Sequence, residues 1–178
     1  QRTFLVILGI SSAFSMMVAS RAAFDVTNYL INYQFDQVET YDMKVNLGSF
    51  EDKVRAVTDS YYLDGVRIAE PILEIPVTIS NKWLEKDSII TGLSGQSQLY
   101  HLLDTRGKAV TLPTDGVIVS SQLARILRIE PGDLLTIKPF LGDSRERLVP
   151  VRKVVPQYVG LGAYMEIDAL NRLIQTPA

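Results

Sequence analysis

Few side chains in this sequence combine the types and the spacing that catalysis needs. His101 is the only histidine, and a catalytic triad would require it beside an activated serine and an aspartate. Ser120, Ser121 and Asp104 are present, but no G-x-S-x-G turn presents either serine to a substrate. We therefore expect His101 to lie on the face of a hairpin, and the sequence predicts no catalytic residue.

Residue spacing does not support a cofactor or metal site either. The chain has no cysteine, which excludes thiolate metal sites, thiol nucleophiles and disulfides. Gly160 and Gly162 do not form a phosphate loop, because no Gly-Lys-Ser/Thr follows them. Asp59, Asp64 and Glu70 lack the spacing of a calcium-binding loop. The sequence therefore predicts a protein that is not an enzyme and has no cofactor-binding or metal-binding residue.

Two further sets of side chains could act only if the fold brought them together. Three aromatic residues, Tyr61, Tyr62 and Trp83, could form a ligand or partner surface, or could pack at a junction between lobes. Four carboxylates could pair as acid and base, but exposed turns are their default interpretation. These carboxylates are Glu85, Asp87, Glu130 and Asp133.

Composition limits the class of protein. The chain has 178 residues, which indicates one domain, or one domain with an inserted lobe. A hydrophobic share of 47% and a charged share of 21% exclude disorder of the whole chain. The net charge of −2 argues against a nucleic-acid partner. The densest basic run, residues 145–153, is interpreted as the solvated rim of a hairpin, although a local basic patch remains open.

The N-terminal segment is apolar and long. Residues 3–20, between Arg2 and Arg21, carry no charge, and their number is close to what a helix needs to span a bilayer. Three interpretations stay open: a transmembrane helix or its outer part, a secretory signal, or a buried helix of a soluble core. Beyond Arg21 a helical apolar stripe predicts that the same helix docks on a globular body as a rigid rod. The stripe consists of Phe24, Ile31, Phe35 and Val38.

The rest of the chain predicts an α+β fold. Its strand candidates show period-two alternation of apolar residues and are residues 41–47, a strand beginning at 66, 73–79, 88–91, 100–104, 108–112 and 148–155. Pro76 predicts a sheet edge or a break, and Pro150 an interruption. One short helix is expected after a cap at Ser49, with Asp52 in a capping-box position and Phe50, Val54 and Val57 buried. A last helix is expected from a cap at Asp168, with Leu170, Leu173 and Ile174 buried.

Residues 115–138 form the clearest local unit, a strand, a helix, a turn and a second strand. Ser120 or Ser121 can cap the helix, and Pro131-Gly132-Asp133 ends it and turns the chain. The second strand should bury Leu135 and Ile137. The buried face of the helix is predicted to consist of Leu123, Ala124, Ile126 and Leu127.

Taken together, these motifs resemble the extracytoplasmic domain of FtsX-like, or MacB-like, ABC-transporter permeases. The order and spacing of the motifs carry the resemblance, which covers nearly the whole chain. The motifs are Leu103-Asp104-Thr105-Arg106-Gly107, Leu112-Pro113, Gly116 to Ser120, Leu123-Ala124, Gly132-Asp133, Ala163-Tyr164-Met165 and Leu170-Asn171.

The resemblance implies a domain organisation. Residues 1–20 would be an apolar helix that is transmembrane or the outer part of one. Residues 21–92 with 151–178 would form a mixed α/β lobe near the membrane, as in the MacB-like periplasmic core domain. Residues 93–150 would form an inserted, mostly β lobe. The family has no catalytic residues in this domain that could be carried over.

The resemblance also implies partners and a place in the cell. The chain would belong to a permease of the cell (inner) membrane, with this domain on the extracytoplasmic side. Its partners would be a cognate ABC ATPase subunit, a second permease copy in a homo- or heterodimer, and an extracytoplasmic protein. ATP-driven motion would pass through the membrane helices to this domain, for export, for lipoprotein or lipid handling, or to control a partner.

Two alternatives stay open beside this interpretation. Residues 129–137 are also similar to the Gly-Asp strand entries of small β-barrels, so the chain could be a soluble barrel enzyme or ligand-binding module. It could also be a single-pass sensor domain that binds a small extracellular ligand.

Overall fold

The computed structural model describes residues 2–47, 53–141, 145–156 and 161–174. The helices are α1 (Arg2–Asn32), α2 (Lys53–Ser60), α3 (Ser121–Leu127) and α4 (Ile167–Ile174), and a π-helical segment (Tyr33–Val38) extends α1. The strands are β1 (Leu73–Asn81), β2 (Leu84–Leu93), β3 (Val117–Ser120), β4 (Leu134–Pro139), β5 (Arg147–Val155) and β6 (Gly162–Glu166).

The six strands form a closed barrel in the order β1-β2-β6-β3-β5-β4. Two contacts, β2 with β6 and β3 with β5, are parallel, and the other four are antiparallel. The predicted mixture of helices and strands is therefore confirmed. Barrel closure was anticipated only for the alternative that compares residues 129–137 with small β-barrels.

A continuous apolar core fills the barrel. Ile75, Val77 and Ile79 alternate along β1 and are fully buried, as the period-two pattern of 73–79 predicts. Leu135 and Ile137 of β4 join the same cluster, together with the apolar faces of α3 and α4. Burial of each such side chain contributes roughly 1.5–3 kcal/mol to folding. The barrel is thus a packed body without an open lumen.

A second apolar layer lies on the outside of the barrel. Ile118 and Tyr164 point away from the inner core and are covered by Leu102 and Leu112. These two leucines belong to residues 94–116, which we call the covering loop. The covering loop closes on itself through Val110 N, which donates to the carbonyl oxygen of Leu102 at 2.7 Å. The domain therefore has two layers, a barrel and a loop packed on one of its sides.

The unit at residues 115–138 folds as the sequence predicts, with one exception. Ser120 Oγ accepts a hydrogen bond from the amide of Leu123 at 3.4 Å and caps α3. Asp133 Oδ2 accepts from the amide of Glu130 at 2.9 Å and stabilises the turn into β4. Ile126 was predicted on the buried face of α3 but is 47% exposed, because Leu123 and Leu127 already define the side that meets the barrel.

Several local predictions are wrong. Residues 100–104 and 108–112 form no strands and make only the isolated bridges Glu39–Tyr100 and Leu103–Ala109. Residues 41–47 form no strand, and Met43, Val45 and Leu47 are exposed, because no other strand pairs with this segment. The segment that begins at Val66 forms no strand either. Val54 of α2 is exposed although it was predicted to be buried. The predicted cap at Ser49, together with Phe50 and Asp52, lies outside the described residues, as does Gly160.

The prolines and the last helix differ in detail from prediction. The sheet edge or break expected at Pro76 is not found, because β1 runs unbroken through Pro76 beside β2 and the carbonyl oxygen of Pro76 also accepts the amide of Phe140 at 3.0 Å. Pro150 does not interrupt β5. The one shift in the pairing register of β5 with β3 falls between Val151 and Lys153. Asp168 lies in the first turn of α4 and not before it, whereas the predicted buried face of α4 is confirmed.

The predicted boundaries of the two lobes cut through strands. The boundary between residues 92 and 93 falls inside β2, and the boundary between 150 and 151 falls inside β5. Strands from both predicted lobes join in one barrel. The division into two lobes stays a prediction.

Helix α1 does not dock along the body. None of its residues is buried by the described part of the chain, and Phe24, Ile31 and Phe35 are all exposed, contrary to the predicted docking of the stripe. Only Val38 and Gln34, at the end of the π-helical segment, are buried. By length and composition, the helical stretch Arg2–Val38 is long and apolar enough to cross a membrane.

Candidate functional site

In the structure, the residues that were considered for a catalytic triad make other contacts. Ser120 Oγ is occupied as the cap of α3. Asp104 Oδ1 accepts the backbone N–H groups of Arg106 at 2.8 Å and Lys108 at 3.0 Å, and these bonds lower the pKa of its carboxyl group. His101 uses its backbone N–H to bind the carbonyl oxygen of Val38 at 2.8 Å. Among the described residues, no group of three or more His, Asp and Glu could hold a metal ion.

The other sets named from the sequence remain apart. Glu85 and Asp87 lie on β2, and Asp87 accepts a hydrogen bond from Thr78 of β1 at 2.8 Å. Glu130 and Asp133 share the turn before β4. Tyr61, Tyr62 and Trp83 are all more than half exposed, so they do not pack at a junction between lobes.

The most organised polar region is the junction between the helix and the domain, which we define as residues 34–41 with residues 97–101. Glu39 forms an isolated β-bridge with Tyr100. The amide of Thr40 donates to the carbonyl oxygen of Leu99 at 3.0 Å, beside the bond between His101 and Val38. The helix is therefore attached to the covering loop by a short ladder of backbone hydrogen bonds.

Side chains reinforce this junction around Glu39. Gln34 Nε2 donates to Glu39 Oε1 at 2.7 Å, and Tyr41 Oη donates to Glu39 Oε2 at 2.6 Å. Gln34 is only 6% exposed, and its Oε1 atom has no hydrogen-bond partner among the described residues. The burial of Gln34 shields its hydrogen bond to Glu39 from water.

Glu70 holds the first part of the covering loop. Its carboxylate accepts hydrogen bonds from the Ser97 hydroxyl and from the amides of Gln98 at 2.7 Å and Leu99 at 3.4 Å. Leu99 is also the residue that binds Thr40. Glu70 thus fixes the segment to which the helix is attached.

Two tyrosines connect the junction to the barrel. The hydroxyl groups of Tyr100 and Tyr164 lie 3.3 Å apart, and the ring centroids lie 5.9 Å apart. Burial raises the pKa of both phenols. A Cβ atom at Gly162 would lie 2.9 Å from Tyr164 Oη, so the glycine leaves room for this ring. The contacts therefore run from Glu39 through its bridge to Tyr100, and from there to Tyr164 on β6.

The π-helical segment lies between the end of α1 and the rest of the junction. Runs of π-helix are rare and often occur at functional sites. The segment places Gln34 and Val38 on the buried side, whereas α1 buries nothing. A displacement of α1 would therefore reach the domain through these few residues, because no other part of α1 is held by the described body.

Tyr41 offers a pH-dependent test of the junction. Burial and the hydrogen bond to Glu39 raise the pKa of Tyr41 to about 12, above the usual value of about 10. The neutral phenol therefore stabilises the folded state below about pH 10, and this contribution is lost as pH rises to about 12. We expect the difference in tyrosinate absorbance between the wild type and Tyr41→Phe to have its midpoint near pH 12. Glu39→Gln, which removes the carboxylate charge, should lower this midpoint, and a wild-type midpoint near pH 10 would contradict the proposed contact.

A separate cleft of about 370 Å³ lies beside α2. It combines apolar side chains of α2 with polar groups at the start of α4. Its lining residues include Val57, Thr58, Pro71, Ser94, Glu166 and Ile167. Its volume lies within the range of small-molecule sites.

Sequence reasoning did not identify the junction residues. Gln34, Glu39, Glu70 and Tyr100 form no motif, and their partners lie up to about sixty positions away in the chain. The one available signal is a polar group, Gln34 and Glu39, directly at the end of a long apolar helix.

Comparison with known proteins bears on the fold. No protein-family model matches the chain, and no curated protein matches it. The periplasmic region of MacB from Actinobacillus actinomycetemcomitans is similar, with a TM-score of 0.53 and 11% identity over 74% of this chain and 62% of that one. The extracellular domain of the noncanonic ABC-type transporter YknZ from Gram-positive bacteria gives a TM-score of 0.49 and 16% identity over 70% of this chain and 67% of that one. Only the first similarity exceeds a TM-score of 0.5, so the statement on the fold rests on it.

The chain spans less than two thirds of that MacB region. The match covers 74% of this chain and agrees with the resemblance that the sequence predicts. The chain therefore has the fold of the periplasmic region of MacB, the kind of extracytoplasmic domain that its motifs resemble.

Proposed function

We propose that this chain is the extracytoplasmic domain of an ABC-transporter permease of the FtsX or MacB type, together with its leading membrane helix. One observation carries the proposal: an apolar helix with no buried residue leads directly into a domain with the MacB periplasmic fold. A helix that is apolar on all sides and unburied by its own protein is typical of a membrane span.

The position of charges supports this arrangement. Residues 3–20 would lie in the hydrocarbon layer, with Arg2 and Arg21 at its two boundaries. Arg21 pairs with Asp25 at 3.5 Å in the next turn, which places the first acidic residue of the helix outside the apolar stretch. The cell (inner) membrane is the expected location, with the domain on the extracytoplasmic side.

Within this proposal the junction couples the helix to the domain. Motion driven by a cytoplasmic ATPase subunit would move α1, and Glu39 with Tyr100 would pass the displacement to the covering loop and β6. Because packed interiors deform little, the barrel would move as one body. A second permease copy, identical or different, and an extracytoplasmic partner would complete the assembly. A lobe of residues 21–92 with 151–178 and an inserted lobe of residues 93–150 remain part of this proposal.

Site-specific labelling tests the placement in the membrane. The chain has no cysteine, so a single introduced cysteine is the only thiol. Met16 and Trp83 are each 79% exposed in the structure. We expect a membrane-impermeant maleimide to label Trp83→Cys in intact cells and to leave Met16→Cys unlabelled, since lipid surrounds only Met16.

The equal exposure of the two positions makes each the control for the other. After solubilisation in denaturing detergent both variants should react, which shows that both thiols are present. Labelling of Met16→Cys in intact cells to the same extent as Trp83→Cys would contradict the membrane placement. Labelling of Trp83→Cys only after cell lysis would contradict the extracytoplasmic orientation.

A ligand-binding or sensor module remains the second candidate, because the cleft beside α2 is large enough for a small molecule. Saturable binding of a small molecule that is lost in a cleft variant such as Val57→Trp, with labelling unchanged, would favour it.

A further inference from the structure

The fold gathers five basic side chains that are dispersed in the sequence. All five are exposed at the surface beside the covering loop and β5. They are Arg106, Lys108, Arg152, Lys153 and Arg172, which we call the basic patch. Only Arg152 and Lys153 belong to the basic run 145–153 that stands out in the sequence; the fold supplies the others.

Polar contacts and charge interactions link the members of the basic patch to nearby groups. Arg152 forms an ion pair with Asp115, and Arg172 Nη2 donates to the carbonyl oxygen of the neighbouring Thr114 at 3.4 Å. Lys153 lies close enough to Asp104 for its charge to lower the pKa of that carboxyl group, as Arg106 also does. Four of these cations therefore lie near Asp104 or Asp115 or its neighbour Thr114. Lys108 is next to them in the chain, with its amide bound to Asp104, and the adjacent residues Arg152 and Lys153 connect the two groups.

Both carboxylates are already engaged within the domain. Asp115 is held by Arg152, and Asp104 is held by the backbone N–H groups of Arg106 and Lys108. In the described part of the chain, the charged groups of Arg106, Lys108 and Lys153 have no ion pair or hydrogen bond. The patch therefore carries an excess positive charge of about three on a chain of net charge −2.

We propose that the basic patch binds an acidic segment of a partner protein on the extracytoplasmic side, an inference that rests on the proposed function. Complementary charge is a common means of steering and selecting protein partners. The cations lie on an open surface and do not converge in an enclosed cavity, so the surface suits an extended chain of carboxylates better than a single small anion.

Distance from the bilayer argues for a protein and against lipid. From Arg21 to Val38 the helix rises roughly 25 Å at 1.5 Å per residue. His101 binds Val38, and Asp104 follows three residues later, within about 11 Å even in an extended chain. With α1 upright, Asp104 lies about 14 Å or more beyond the hydrocarbon, outside a headgroup layer that is roughly 5–7 Å thick, so lipid headgroups do not contact it directly.

Binding of a fluorescein-labelled decaglutamate peptide tests this inference. The whole chain is reconstituted in nanodiscs of zwitterionic lipid, and fluorescence anisotropy gives Kd at low salt. The triple variant Arg106→Ala, Lys108→Ala, Lys153→Ala should raise Kd at least about fivefold, since each exposed charge pair contributes modestly. The three side chains have no partners in the described domain, so the variant should fold, which circular dichroism checks.

A matched triple variant separates the effect of the basic patch on peptide binding from the effect of net charge. Arg67→Ala, Lys86→Ala and Arg125→Ala remove the same number of exposed cations from other surfaces, and they should change Kd by less than about twofold. Equal weakening by the two triple variants would overturn the assignment, as would the absence of peptide binding. Stronger competition by phosphatidylglycerol vesicles would indicate lipid, and stronger competition by oligothymidylate would indicate nucleic acid; either result would overturn it.

The labelling experiment keeps this inference distinct from the proposed function. If Trp83→Cys is labelled from outside the cell and peptide binding fails, the basic patch is wrong and the permease proposal stands. If peptide binding depends on the patch but Trp83→Cys is labelled only after lysis, the patch binds acidic peptides. The proposal that its partner lies on the extracytoplasmic side is then wrong.

Discussion

Gly116→Ala is expected to lower the free energy of unfolding by roughly 2–5 kcal/mol. Gly116 has φ of +83°, and a Cβ atom there would lie 2.5 Å from the carbonyl oxygen of Pro150 and 2.9 Å from Arg152 Cγ. A side chain at positive φ costs roughly 1–2 kcal/mol, and the collision with the backbone of β5 adds about 1–3 kcal/mol. Urea unfolding followed by near-ultraviolet circular dichroism of the buried tyrosines measures the change.

Two other glycines isolate the cause of this effect. Gly107 and Gly132 have φ of +72° and +100°, and a Cβ atom at either would meet nothing within 4 Å. Gly107→Ala and Gly132→Ala should therefore show only the conformational cost of roughly 1–2 kcal/mol. A loss in Gly116→Ala no larger than in these variants would mean that β3 and β5 are not as close as the structure has them.

Leu123→Ala is expected to cost about 2–5 kcal/mol of stability, because it removes a fully buried side chain from a packed core. Leu123 has an exposed fraction of 0% and joins α3 to the interior of the barrel. The cavity left behind cannot be filled by neighbouring strands, whose positions are fixed by hydrogen bonds on both sides. The same unfolding measurement applies.

Ile126→Ala on the same helix is the control for this prediction. Ile126 is 47% exposed, so its truncation should cost less than about 1 kcal/mol. Both substitutions place alanine, a good helix former, in α3, which makes burial the main difference between them. Similar losses from the two variants would contradict the packing of α3 against the barrel.

Local signals in the sequence led to correct predictions where neighbours in the chain determine the structure. Ser120 caps α3 through an amide three residues away, and Asp133 closes its turn in the same way. Such contacts need only a short segment, so residue types predict them. The α+β composition and the resemblance to MacB-like domains followed from an ordered series of these local units.

Long-range features escaped prediction for a physical reason. The parallel contacts of β2 with β6 and β3 with β5 join strands whose pairing has no local signature, so only the small-β-barrel alternative anticipated barrel closure. Residues 41–47 alternate as a strand does, yet alternation cannot supply the missing partner strand. Glu39 and Tyr100 are 61 positions apart in the sequence and are neighbours only in the folded structure, which is why the junction had no motif.

The circular arrangement of the six strands limits how any other molecule can attach to the barrel. Many recognition domains extend their sheet by adopting a foreign strand at an unpaired border, with the main chain supplying the affinity. Each described strand here already has a neighbour on either side for part of its length, which leaves only short borders, such as residues 84–88 of β2, which pair with β1 but not with β6. Over the rest of the barrel wall recognition depends on side chains, and sequence changes there can alter partner choice without altering the architecture.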